Sequence, residues 1–181
     1  MTRTWIVVDA NVARAVGGPD LGSPASSSAP CLEALEVLKK RAEDRKDVGA
    51  AISPMLKEEW DRHKSRYATR WLSAMAARGA FRYVHEPWAD VADYRDAVDA
   101  QSDTARRELI RDEHVVALAM QTSQRVLSQD RRQARYLRAL LSHPSTPEAL
   151  SGLHWVAPDL PRAIDWIGEG MPDDDSMKLE G

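Results

Sequence analysis

The chain has 181 residues, 43% hydrophobic and 29% charged, with a formal net charge of −3. That balance suits one globular domain with a sizeable core, and it excludes a globally basic nucleic-acid binder and a disordered chain. A single cysteine, Cys31, excludes a disulfide framework or a cysteine-based zinc site within the chain. No apolar run nears the roughly 20 residues of a membrane span, and no signal peptide is legible, so a cytoplasmic protein with no membrane partner is expected.

In chain order, Trp5-Ile6-Val7-Val8 is an unalternating apolar run that ends at Asp9. It predicts a strand over 4–8 buried on both faces, as at the centre of a parallel sheet. A short helix is expected over 10–16. Gly, Pro and Ser then fill residues 17–28, which read as a mobile loop or lid. Pro30 opens a second helix reaching about Arg45, with Cys31 a buried spectator at its start. Val48 to Ile52 predicts a second buried strand. Ser53-Pro54 is an N-cap followed by Pro at the first helical position, and one helix is expected from there to about Arg78. Gly79 ends it.

Phe81 to His85 alternates and predicts an edge strand. A helix follows around Val91, Tyr94 and Val98, and one helical region is expected over 104–123. Arg125 to Ser128 predicts a fourth strand, residues 131–141 an amphipathic helix, and residues 143–147 a turn. Leu153 to Val156 predicts a fifth strand, and residues 159–168 a last helix. Residues 171–181, with Asp173-Asp174-Asp175, read as a disordered acidic tail to a single domain over 1–170. Alternating strands and helices imply a mostly parallel sheet of about five strands, covered on both faces.

In a parallel sheet all strand C-termini share one edge. Asp9, Asp130 and either Glu58 or Glu59 fall on that edge, and Asp112 joins them if its helix runs antiparallel to the strands. Clustered carboxylates repel and need a cation. Oxygen ligands without His or Cys select Mg²⁺ or Mn²⁺, the equipment of phosphoryl chemistry.

With these segments in this order, the chain resembles the PIN-domain ribonucleases. The carriers are Val7-Val8-Asp9-Ala10-Asn11-Val12, Ile52-Ser53-Pro54 with Glu58-Glu59-Trp60, Asp112-Glu113-His114-Val115-Val116-Ala117-Leu118-Ala119, and Val126-Leu127-Ser128-Gln129-Asp130. The resemblance spans roughly residues 4–136. It implies a PIN-like, Rossmann-like fold and a metal-dependent endoribonuclease that leaves 5′-phosphate and 3′-hydroxyl ends. Asp9, Glu59, Asp112 and Asp130 match the family's acidic positions, Asn11 and Ser128 its supporting polar residues. Family spacing prefers Glu59 over Glu58. Asp130 is followed by Arg131-Arg132-Gln133 where many members carry a further acidic residue, which leaves one or two metals open. The resemblance is also compatible with a toxin paired with a protein antitoxin, and with a homo-oligomer.

Of the 25 basic residues 19 are Arg. Two stretches, 57–82 and 125–138, each carry a local charge of +4. Arg62, Lys64, Arg66, Arg131, Arg132 and Arg135 are therefore candidates for RNA phosphate contacts. Asp90, Asp93, Asp96, Asp99 and Asp103 drift around a helix and read as a solvated face. His114 lies about 200° from Asp112 on a helix, so joint ligation is not expected. The six tryptophans read as core and interface anchors. Two other classes compete: a PIN-like module that binds RNA or protein without cutting, and a phosphatase using Asp9 as a covalent nucleophile. The latter lacks the usual second Asp at position 11.

Overall fold

The computed structural model describes residues 3–16, 28–85 and 91–179. The expected loop at 17–28 lies almost wholly outside them, as do Asp90 and residues 180–181. The strands are β1 (Thr4–Val8), β2 (Val48–Ile52), β3 (Phe81–Tyr83), β4 (Arg125–Leu127) and β5 (His154–Val156). They form one sheet in the order β3-β2-β1-β4-β5, and every pairing is parallel. β1 is central, and Ile6, Val7 and Val8 are at most 2% exposed. A continuous apolar run is what burial on both faces requires.

The helices are α1 (Ala10–Ala15), α2 (Ser28–Asp44), α3 (Pro54–His63), α4 (Arg66–Ala77), α5 (Ala92–Asp99), α6 (Asp103–Arg111), α7 (Glu113–Met120), α8 (Arg131–Leu140), α9 (Glu148–Ser151) and α10 (Ala163–Gly168). α2 packs on β2, and α10 on α2. α7 packs on β1 and β4, and its Val115 to Ala119 are all buried.

Two glycines are dictated by geometry. Gly49 of β2 faces Trp5 of β1, and a Cβ there would stand 2.5 Å from the indole. Gly79 ends α4 at φ 62, with Ala80 N–H returning to the Met75 carbonyl. That is the left-handed cap the sequence predicts.

The expected helix over 54–78 is corrected to two helices. Lys64 is extended at ψ 142, and Ser65 caps α4 by accepting from Ala68 N–H at 3.1 Å. The buried Ser65 hydroxyl also reaches the Ala13 carbonyl at 3.4 Å. The expected region over 104–123 is likewise broken, at Asp112, which ends α6 and starts α7. The turn region expected over 143–147 leads into α9, a short helix the sequence reading omitted.

The tail is corrected too. Residues 175–177 form a 3-10 turn, and Met171, Met177 and Leu179 are buried. Leu179 N–H donates to the Leu153 carbonyl. His154, fully buried on β5, accepts from Asp174 N–H at Nε2 and stacks on Trp166. Three scattered apolar side chains suffice because β5 is an edge strand with surface to cover.

Candidate functional site

The strand order reverses between β1 and β4. In open parallel sheets this switch point, at the strands' carboxyl ends, is where ligands bind. Asp9 follows β1 there, and Ser128 follows β4.

Asp9 is held by a closed polar network. Its Oδ2 accepts from the Ser128 hydroxyl at 2.6 Å and from the Asn11 amide at 2.8 Å. The Ser128 hydroxyl accepts from the Asn11 amide and from Asp130 N–H, each at 3.0 Å. The Asn11 side-chain oxygen Oδ1 accepts from Gln129 N–H at 3.1 Å. Each supporting residue sits at its place for a local reason. Asp9 is the N-cap of α1 and Asp130 of α8, where its Oδ1 accepts from Gln133 N–H at 2.8 Å.

The electrostatics of Asp9 are unusual. Burial, with the neighbouring charges of Asp112 and Glu59, pushes its carboxyl up to about 6, against the pull of the Ser128 and Asn11 hydrogen bonds. Asp9 therefore sits beside two further carboxylates with too little positive charge to offset them.

Glu59 faces this cluster and Glu58 does not. Glu58 is exposed on α3, and its backbone carbonyl accepts from Arg62. Glu59 Oε2 is 3.3 Å from Nε2 of the buried His114. That imidazole holds the Glu59 carboxyl below its ordinary range, helped by Arg62 and Arg111. The contact is off-line for a hydrogen bond, and neither ring nitrogen of His114 has a well-aligned partner among the described residues. Trp60 anchors α3 beside the site by donating from Nε1 to the Val8 carbonyl at 2.9 Å.

The sequence reading missed Arg111. Its guanidinium spans Asp112, at 3.0 Å from both carboxylate oxygens, and Asp130 Oδ2, at 3.3 Å. It also pairs with Glu108 at 2.6 Å. An Arg at the end of one helix and an Asp at the start of the next become partners only once the chain breaks between them. His114 on α7, which helix geometry turns away from Asp112, meets Glu59 of α3.

The four acids offer the donor type that a hard divalent cation takes. Asp9, Glu59, Asp112 and Asp130 offer only oxygens, and Asp9 carries charge that a cation would offset. As the side chains stand, Arg111 pairs directly with Asp112 and Asp130 among these four acids. Among the described residues no three His, Cys, Asp or Glu side chains are close enough together to hold a metal ion.

The basic candidates divide. Lys64 is bound to Asp61, Arg131 to Asp159 at 2.7 Å, and Arg132 lies 3.5 Å from Glu108. Arg62 leans on its own helix. Arg66 and Arg135 are exposed and make no ion pair among the described residues. Asp93, Asp96, Asp99 and Asp103 are exposed, as a solvated face requires. Cys31 is buried, and burial pushes its thiol up to about 11. No helix among the described residues is long and apolar enough to cross a membrane. No family model matches the chain, and neither a curated protein nor a solved structure matches it.

Proposed function

We propose that the chain is a divalent-metal-dependent endoribonuclease of the PIN type, working at the switch point between β1 and β4. The observation that carries this reading is Asp9. It is a carboxyl fixed by Ser128 and Asn11 at the end of the central strand, and raised to about 6 by burial and two acidic neighbours. Such a charge is costly to maintain and is retained where a cation completes the site.

Asp9, Glu59, Asp112 and Asp130 are the residues that would hold Mg²⁺ or Mn²⁺. Bound there, the ion would supply a Lewis acid for a phosphodiester oxygen and a water of lowered pKa. The chain's own part is positional. Ser128 and Asn11 keep Asp9 from rotating, and His114 keeps Glu59 ionised and turned inward. Arg66, Arg131, Arg132 and Arg135, with Arg62 and Lys64, would meet substrate phosphates around the acids. The narrower form of this reading is a cytoplasmic toxin restrained by a protein antitoxin.

The test is cleavage of a mixed RNA pool with Mn²⁺, with Mg²⁺ and with EDTA. Cleavage is expected with either metal and not with EDTA. Asp9→Asn should lower it by at least ~100-fold while the circular dichroism spectrum is unchanged. Undiminished cleavage by that variant overturns the assignment.

A second reading, a PIN-like module that binds without cutting, is favoured by Arg111, which already bridges two of the four acids. RNA binding with neither Mn²⁺ uptake nor cleavage would select it.

A further inference from the structure

Beside the acidic cluster lies a cavity of about 520 Å³ between α8 and the segment following β5. That volume falls within the range of roughly 300–1,000 Å³ typical of small-molecule sites. Ser128 forms part of its wall, so the cavity is continuous with the residue that holds Asp9. Arg131, Arg135 and Arg138 line it, with Trp155 and Leu160, and no acidic side chain among the described residues does.

Each wall has a distinct chemistry. Arg135 is exposed and makes no ion pair among the described residues. Arg131 is paired with Asp159, but both side chains are more than half exposed, and such a pair exchanges readily for a phosphate. Arg138 is fixed by donating from Nε to the Leu179 carbonyl, so the packed tail orients this wall. Leu160 is an apolar side chain left 37% exposed at the rim. Trp155 is buried, and its Nε1 has no acceptor among the described residues. Buried donors are rarely left so.

A ligand with an anionic group and a planar apolar body is what these walls ask for together. We propose that this cavity binds one nucleotide of a single-stranded RNA, next to the phosphate held at the acidic cluster. The base lies against Trp155 and Leu160, and its phosphate is met by Arg135 and Arg131. Unstacked bases are read on aromatic side chains in this way, with arginines tracking the backbone. The inference rests on the nuclease reading for the position of the neighbouring phosphate. The nucleotide site itself stands on the cavity.

The experiment uses the full chain in EDTA, so that no strand is cut. Indole N–H resonances are followed by ¹H–¹⁵N correlation spectroscopy, with Trp155 assigned by Trp155→Phe. 5′-AMP and a pentanucleotide single-stranded RNA are titrated, with adenosine, inorganic phosphate and a pentaglutamate peptide as comparisons. The Trp155 signal is expected to move with 5′-AMP and more steeply with the pentanucleotide. Adenosine and phosphate should each bind at least fivefold more weakly than 5′-AMP. Arg135→Glu should weaken 5′-AMP at least tenfold and Arg135→Gln by less, both with unchanged spectral dispersion.

An unmoved Trp155 signal, an undiminished affinity in Arg135→Glu, or equal binding of pentaglutamate would overturn the nucleotide site. Cavity binding in a chain that shows no metal-dependent cleavage upholds the site and removes the nuclease reading. Cleavage without cavity binding does the reverse.

Discussion

Arg111 is the side chain on which the state of the acidic cluster turns. Its guanidinium is the one positive group that bridges Asp112 and Asp130 among the described residues. A tethered cation and a free one compete for the same carboxylates, because two full positive charges close together repel. Arg111→Ala is therefore expected to tighten Mn²⁺ binding by about tenfold, or ~1.4 kcal/mol, in calorimetry that needs no RNA. Unchanged or weaker Mn²⁺ binding would show that the guanidinium and the metal do not share the site.

Asp9 behaves in the opposite sense. Its raised carboxyl means that the ionised form burdens the metal-free fold at neutral pH. Asp9→Asn should melt at or above the wild-type temperature, which separates lost cleavage from lost structure. None of this was legible residue by residue. The sequence pointed to Asp9, Asp112 and Asp130 by their places after or before apolar runs, but not to the arginine between them.

At the scale of elements, two helix breaks build the site's surroundings. Lys64 and Ser65 divide what the hydrophobic pattern reads as one helix, because local patterning carries no signal for a buried serine bonded to another helix. Ser65→Ala removes a cap and a tertiary hydrogen bond at once. It is expected to cost about 1–2 kcal/mol in urea unfolding. A cost near zero would mean that the break is held by packing alone. The second break, at Asp112, turns α7 so that its apolar residues meet β1 and β4 while its N-cap Asp112 lies with the acidic cluster. The strands were easier to read. Val7, Val8, Val126 and Leu127 are apolar without alternation, and each run ends at a polar residue of the site.

On the scale of the whole molecule, the C-terminal segment is a working part of the structure. Deleting residues 171–181 would expose β5 and remove Met171, Met177 and Leu179 from the core. The expected loss is about 3–5 kcal/mol, read as a lower urea midpoint. The attachment is also sensitive to acid. Burial, and then Arg125, lower the His154 pKa, so the neutral imidazole is the folded form. A depressed folded pKa stabilises the chain above the unfolded value near 6.5 and is lost as pH falls below it. Charging the ring also removes the acceptor for Asp174 N–H. The stability advantage of wild type over His154→Gln should therefore shrink between pH 7 and pH 5. A difference that stays constant would place the anchorage elsewhere.

By itself the sequence determined the parallel α/β order, the central place of β1 and the common edge for Asp9, Asp130 and one of Glu58 and Glu59, because burial on both faces is written into local apolar runs and parallel strand direction into the alternation of strands and helices. Only the tertiary structure decided that Glu59 and not Glu58 faces the cluster, that Arg111 lies across two of its acids, and that the tail packs. Those outcomes depend on where helices break and which surfaces meet, and such contacts join residues far apart in the chain.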